Sequence, residues 1–547
     1  MGGGESGRRR ADRTLTGTAH TDTFVRDNLP PAGDLPDLLF GLPELNYPTR
    51  LNASTLLDRA IAQGLTDKPA VIWSGSKLSY GELLATACKI AHVLVDDMGL
   101  EPGNRVLLHA ANRPLAIAAW FAIARAGGVV VATMPMLRAE ELATIVRKAK
   151  ISHAIAEASL RGAVESCQAF APELRHVAFF GESGDLEGRM AAKPADFSPV
   201  DTAGDDPVLI AFTSGTTGVP KGCVHFHRDI LAMVDTFARH ILQPGPHDVF
   251  CGTPPMAFTF GLGGCVIFPL AFGATTALCE APGYEALGAT IQRHGVTTLF
   301  TAPTTYRALL KSGAAARLSS LTTCVSAGEA LPKATSDAWF EVTGLRIIDG
   351  IGSTEMIHIF ISAAGADIRP GSTGKATPGY EATLLGPDHR PIDGPGQGRL
   401  AVRGPTGCRY LADERQKAYV VNGWNVTGDI YRRDEDGYFW YVARGDDMIV
   451  SSGYNIGAPE VEHAILTHPK VAEVAVIGWP DEDRGQICKA FVVLVPGADA
   501  GAALARDIQD HVKRTIAPYK YPRSVVFVAE LPKTASGKLQ RFKLRRP

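Results

Sequence analysis

The residues best suited to chemistry stand in one run, Phe212 to Gly222, which reads FTSGTTGVPKG directly after the apolar VLIAF. Thr213, Ser214, Gly215, Thr216, Thr217 and Gly218 offer hydroxyls and unobstructed backbone N–H groups, and Lys221 adds a point charge; such a set can wrap phosphate oxygens. The chemistry implied is binding of a nucleoside triphosphate. The spacing is not that of the GxxxxGK(S/T) loop, because Lys221 follows Pro220 and precedes Gly222, so this is a different phosphate loop. Taken alone, a polar surface turn between a strand and the helix-like HRDILAMVDTFARHIL accounts for the composition equally well, and other segments must decide.

Four more segments join it: DGIGSTE (Asp349 to Glu355), VTGD (Val426 to Asp429), ARGDDMIVSSGYNIGAPEVE (Ala443 to Glu462) and PKTASGK (Pro532 to Lys538). Each is weak by itself. The pair His225 and His227 invites a metal reading, but two residues apart on a helix they do not face each other and no third ligand is evident, so no zinc site is expected. There is no GxSxG elbow, and a serine hydrolase has no support.

In this order and at these separations the five segments resemble the adenylate-forming superfamily of acyl- and aryl-CoA synthetases, luciferases and peptide-synthetase adenylation domains, from about Ser79 to the end of the chain. Within it, KGCVHFHRDIL, PPMAFTFGLGG, TAPTTYRALL and DGIGSTEMIHIF are similar to the benzoate-CoA ligase branch, and most to 2-aminobenzoate-CoA ligases. The resemblance implies a reaction in two halves. Carboxylate plus ATP gives an acyl-adenylate and pyrophosphate, then the thiol of coenzyme A displaces AMP.

The roles that follow are those the resemblance implies. Thr213 to Gly218 and Lys221 close over the β- and γ-phosphates, Thr354 reaches the α-phosphate, and Glu355 is the ligand of Mg²⁺, which prefers hard oxygen donors. Asp429 takes both ribose hydroxyls with its two acceptor oxygens, and Arg444 is its partner on the nucleotide. Without the resemblance, both would read as solvated surface ions. Gly328, Glu329 and Ala330 begin one wall of the adenine site; Asp349, Gly350 and Ile351 form the other. Ile351 stands where most of the superfamily has an aromatic residue, and the benzoate-ligase branch shares that departure. Lys538 sits between the carboxylate and the α-phosphate; a preorganised donor of this kind is worth roughly 3–4 kcal/mol in the transition state. Thr259, Phe260, Gly261, Ala327, Ile351 and His358 supply a flat, mostly apolar aryl pocket. His358 is equally well read as the partner of an ortho amine or as a structural histidine. Gly453 meets the pantetheine arm, and Asp446 is the hinge of a rotating small domain.

The elements that must position these residues alternate in type. From Tyr80 onward, helix-like GELLATACKIAHVLVDD, PLAIAAWFAIARA and AEELATIVRKA alternate with strand-like RVLLHA, GVVVATM and SHAIAE, the signature of a parallel sheet. A second alternation runs from HDVFCGT to RIIDGIGSTE, and short strands with Gly turns follow near Tyr380. The expected fold is α/β: a large N-terminal domain of two α/β lobes and a small β-rich lobe, and a small mobile α+β C-terminal domain. The expected boundaries are a disordered tail at 1–20, an ATP- and aryl-acid-binding domain at 21–445, and a lid at 446–547 that carries Lys538.

Bulk properties set limits on partners. Fifty-five Lys and Arg oppose 57 Asp and Glu in 547 residues, a formal net charge of −2 that argues for neither nucleic acid nor a membrane surface. The apolar PLAIAAWFAIA falls short of the ~18 residues of a membrane span. Nine scattered cysteines without a CxxC fit a reducing cytoplasm. The expected reaction is therefore an aryl-CoA ligase using ATP, Mg²⁺ and coenzyme A on 2-aminobenzoate, benzoate or a hydroxybenzoate. The alternatives are an enzyme loading an aryl group onto an acyl-carrier protein and a nucleotide-binding relative without catalysis. Whether the chain forms a homodimer is left open.

Overall fold

The computed structural model describes residues 17–213, 220–329, 331–444, 448–532 and 541–545. Two large sheets carry the N-terminal body. In the first, Arg105–His109, Val129–Thr133, His153–Glu157, His176–Phe180 and Pro207–Thr213 are parallel, and Lys221–Phe226 closes the edge antiparallel to Pro207–Thr213. The second has nine strands. Pro69–Trp73, Thr275–Ala277, Val249–Gly252, Thr298–Thr301, Thr323–Ser326 and Ile347–Gly352 form its parallel centre, with antiparallel strands at both edges. The segments expected to be strands in each lobe are strands of these two sheets. Their first member, Pro69–Trp73, comes from ahead of the first lobe and crosses to the second sheet.

Helix Pro114–Arg125 explains the most apolar stretch of the chain: from Ala116 to Ala124 every residue is fully buried. A helix that is apolar all round belongs inside a large core, and it joins the main hydrophobic cluster together with residues of both sheets. Among the described residues no helix is long and apolar enough to cross a membrane.

A five-stranded antiparallel sheet (Glu381–Leu385, Gly396–Arg403, Val420–Val421, Trp424–Arg433, Phe439–Arg444) forms the β-rich lobe. The last body is a second five-stranded sheet, from Met448–Ser451 to Ser524–Phe527, packed by helices Ala458–Leu466 and Ala502–Thr515 around its own apolar core. The change of sheet falls between Arg444 and Met448, so Asp446 lies outside the described residues.

Two expectations need correction. The tail set at 1–20 runs too far, because His20 is buried, the Ala19 N–H donates to Asp206 Oδ2 at 3.0 Å and Thr18 Oγ1 also bonds Asp206. A buried carboxylate needs such partners, and these residues supply them. The reading of His225 and His227 together on a helix also fails: His225 is on the strand Lys221–Phe226, while the helix begins at His227, the first residue of the helix-like HRDILAMVDTFARHIL. The change from strand to helix between them gives the two imidazoles separate partners. His225 Nε2 donates to the Thr354 carbonyl at 2.7 Å, while His227 Nδ1 accepts from the Ala53 N–H at 2.9 Å.

Candidate functional site

The phosphate run is the tip of a hairpin. Thr213 and Lys221 are register partners at the ends of its two strands, which puts both at the mouth of a cavity of about 1540 Å³. Ser214, Gly215, Thr216, Thr217 and Gly218 lie outside the described residues. Thr354 and Glu355 follow the strand Ile347–Gly352 and line the same cavity. Asp429 enters from the β-rich lobe, where it is paired in register with Arg444 on the neighbouring strand.

Sequence reasoning missed how these parts are tied together. Residues 409–411 run beside the hairpin: the Val224 N–H donates to the Arg409 carbonyl and the Leu411 N–H to the Gly222 carbonyl, both at 2.8 Å. This brings in Tyr410, whose hydroxyl donates to Glu355 Oε1 at 2.5 Å and accepts from Lys221 Nζ at 3.2 Å. One phenol thus bridges the lysine of the phosphate run and the carboxylate of the GSTE segment. Burial first, and the Glu355 charge beside it, raise the Tyr410 pKa far above its ordinary value, so it remains a donor. Beneath it, Arg409 Nη1 holds the buried Asp229 carboxylate at 2.7 Å. Burial opposes the Asp229 charge, but Arg409 and the neighbouring His225 keep its pKa well below the carboxylate range.

Thr259, Phe260, Ala327 and His358 line the inner part of the cavity. His358 is 3% exposed, and its ring lies against Phe268, Phe237 and Phe260 at centroid distances of 4.6, 5.3 and 5.8 Å. A Cβ on Gly263 would fall 2.4 Å from His358 Cδ2, so glycine is required for this approach. Among the described residues neither ring nitrogen of His358 makes a hydrogen bond of ordinary geometry, and only the Phe260 backbone acts on the ring, too weakly to satisfy it. Burial pushes its pKa down to about 3, the Phe260 backbone pulling weakly the other way, and the imidazole is neutral. Gly261, Asp349, Gly350 and Ile351 do not line this cavity. Gly261 is pressed against the Pro255 carbonyl, and Ile351 packs on the cluster of Met356 and Phe360. Asp349 faces a small separate pocket beside Ser372, where burial raises its pKa to about 8.

The C-terminal body closes the cavity. Gly453, at φ +80° in the turn between Met448–Ser451 and Tyr454–Gly457, reaches across to Gly328. Its N–H meets the Glu329 carboxylate, whose pKa burial nonetheless raises to about 7. Tyr454 stacks on Tyr519 at 4.3 Å and meets Phe258 edge-on at 6.3 Å. Ala330, Asp446 and Lys538 lie outside the described residues, and only the backbone of Arg444 is described.

The donor set fits a single hard cation held chiefly by its ligand. Glu355 presents one carboxylate to the cavity, and among the described residues no group of three His, Cys, Asp or Glu forms a cage. Mg²⁺ bound through one carboxylate, with substrate phosphates and water in its other positions, needs no more.

Comparison with known proteins decides the family. The AMP-binding enzyme pattern matches residues 57–410, and the AMP-binding enzyme C-terminal domain pattern matches 460–538. The chain belongs to the AMP-binding enzyme family. It is 36% identical to a benzoate–CoA ligase of Thauera aromatica over 92% of this chain and 97% of that protein. It superposes on an anthranilate CoA ligase solved with anthranoyl-AMP at 34% identity and TM-score 0.73, covering 92% of this chain and 98% of the other. An amide bond synthetase from Marinactinospora thermotolerans gives TM-score 0.82 at 28% identity, over 90% and 99% of the two chains. This family member is an AMP-forming acid–thiol ligase, an acyl- or aryl-CoA synthetase that uses ATP and coenzyme A.

Proposed function

We propose that the chain converts 2-aminobenzoate, or a closely related benzoate, to its CoA thioester in a reducing cytoplasm. The observation that carries the substrate is His358: a neutral imidazole that makes no hydrogen bond of ordinary geometry among the described residues, enclosed by phenyl rings in the cavity lining. A buried polar group without a partner is costly, and an ortho amine or hydroxyl on a flat ring would satisfy it. The anthranilate ligase among its structural relatives supports the same choice.

In the first half-reaction the aryl carboxylate attacks the α-phosphate, and the charge that builds up there must be met by preorganised donors. Lys221 and the hairpin N–H groups hold the outer phosphates, Thr354 the α-phosphate, and Asp429 with Arg444 the ribose. Glu355 would hold Mg²⁺, which supplies positive charge at the triphosphate. Lys538 neutralises the attacking carboxylate and the α-phosphate it attacks. In the second half-reaction the small body turns about Asp446, withdraws Lys538 and presents the Gly453 turn to the pantetheine arm. The docking of that turn on Gly328 supports this as the arrangement of the second half.

ATP–pyrophosphate exchange across a panel of acids tests the proposal. 2-Aminobenzoate and benzoate should exchange well and decanoate should not; comparable exchange with decanoate would overturn the aryl assignment. His358→Ala should lower the ratio of 2-aminobenzoate to benzoate exchange by about tenfold, the scale of one specific contact. An unchanged ratio removes His358 from the ortho position. A second reading, in which an amine replaces the thiol as acceptor, is favoured by the overlap with the amide bond synthetase. Supplying preformed adenylate with coenzyme A, with simple amines, or with a carrier protein separates the acceptors.

A further inference from the structure

Lys520 belongs to the C-terminal body and is 5% exposed, yet its ammonium serves two carboxylates from different bodies. Nζ lies 2.8 Å from Glu460 Oε2 within its own body and 2.8 Å from Glu141 Oε1 of the N-terminal body. Both acids are held in place by the other oxygen. Glu141 Oε2 accepts the Arg138 N–H at 3.0 Å at the start of helix Ala139–Ala149, and Glu460 Oε1 accepts the Gly457 N–H at 3.1 Å at the start of helix Ala458–Leu466. Two helix-capping carboxylates, one from each body, therefore converge on one cation without needing to reorganise. Burial lowers its pKa, but the Glu460 and Glu141 carboxylates outweigh that and keep it protonated.

The arrangement is asymmetric under domain rotation. Lys520 and Glu460 travel together and remain paired wherever the small body goes, whereas the bond to Glu141 exists only in the position observed. That position is the one that docks Gly453 on Gly328, and Tyr519, next to Lys520 in sequence, stacks on Tyr454, next to Gly453. A second bond crosses nearby, from Arg138 Nη2 to the Lys513 carbonyl at 3.1 Å.

We infer that Glu141 is a positioning residue for thioester formation: through Lys520 it holds the small body where the Gly453 turn closes the cavity. The inference rests on the assignment, made above, of the observed arrangement to the second half-reaction. It predicts that the interaction is spent on one half of the reaction only.

The test is Glu141→Gln in the full-length enzyme. The amide oxygen still accepts the Arg138 N–H, so the helix cap survives, and Lys520 keeps Glu460, so no buried cation is left unpaired. Two rates are read against the parent: pyrophosphate exchange with ATP and benzoate, and thioester formation from supplied benzoyl-AMP and coenzyme A. A close buried charge pair carries coupling worth at least about tenfold, so the thioester rate should fall by that factor while exchange holds or rises and the melting temperature moves little. Equal slowing of both halves would mean a merely structural role and overturn the inference, as would no change in either. The substrate assignment fails separately. If the parent does not exchange with benzoates, the same ratio of half-reactions is read with whichever acid the parent adenylates.

Discussion

At the scale of the residue, Tyr410 is the side chain whose importance was least visible beforehand. GCRYLADERQ carries no phosphate-binding or acid–base pattern, and its partner Glu355 is 55 positions away. Only the pairing of residues 409–411 with the strand Lys221–Phe226 brings phenol, lysine and carboxylate together. The consequence is testable. Tyr410→Phe keeps the ring but removes the donor to Glu355 and the acceptor for Lys221, which leaves a buried carboxylate without its closest partner. A hydrogen bond to a charged group is worth roughly 1.5–3 kcal/mol, so adenylation at limiting Mg²⁺ should fall about tenfold or more. A Mg²⁺ titration of pyrophosphate exchange should show the half-saturation point moving to higher concentration, with the KM for the aryl acid little changed. An unaltered Mg²⁺ curve would show that the phenol does not orient Glu355.

At the scale of the element, the turn at Gly453 links chain geometry to chemistry. Its φ of +80° is open to glycine, and a Cβ there would stand 3.4 Å from Ala302 Cβ, already at the limit of contact. Gly453→Val should therefore strain the turn and lift it from Gly328, lowering thioester formation from supplied adenylate by about tenfold or more while pyrophosphate exchange stays near the parent rate. Equal rates for variant and parent in the thioester assay would release the turn from that role. Elements were also where the sequence was most legible. Short apolar runs such as RVLLH and TLFT, alternating with helix-like segments such as Pro114–Arg125, announced two α/β lobes built on parallel sheets, and both sheets are present. Less legible were features set by tertiary contact: the strand at Lys221–Phe226, obscured by the polar residues that its hairpin carries, and the docking of residues 17–20, which depends on the distant Asp206. In the cavity, local segments marked Thr213, Lys221, Thr354, Glu355 and Asp429 as chemistry-bearing, and all five line the one cavity. Gly261 and Ile351 belong to the aryl pocket only by the resemblance: Gly261 sits on the short helix Thr259–Leu262 against the Pro255 carbonyl, and Ile351, on the strand Ile347–Gly352, packs on the cluster of Met356 and Phe360.

At the scale of the molecule, one cavity must serve two reactions whose geometries conflict. In the proposed mechanism Lys538 at the α-phosphate occupies the side from which a thiol would approach the same carbonyl, so the two groups alternate. Among the described residues the small body is applied through Gly453, Tyr454 and Lys520 and through side-chain bonds from Arg138 and Arg307 to the Lys513 and Asp483 carbonyls, contacts of the kind a body can break and remake. The two halves should then separate by mutation. Lys538→Ala removes the cation that neutralises the attacking carboxylate and the α-phosphate, and adenylation should fall about a hundred- to a thousandfold. Conversion of supplied 2-aminobenzoyl-AMP and coenzyme A to thioester should persist, because that step has no use for the lysine. Asp446→Pro acts on the junction instead: the ring fixes φ near −65° and restricts the preceding residue, which hinders the passage of the small body. Thioester formation should suffer and adenylation should be spared, the reverse of the lysine variant. Each half-reaction is measured alone for each variant. If Lys538→Ala depresses both halves equally, or Asp446→Pro leaves the thioester step untouched, a single fixed arrangement must perform both reactions and the alternation of the small body has no part in catalysis.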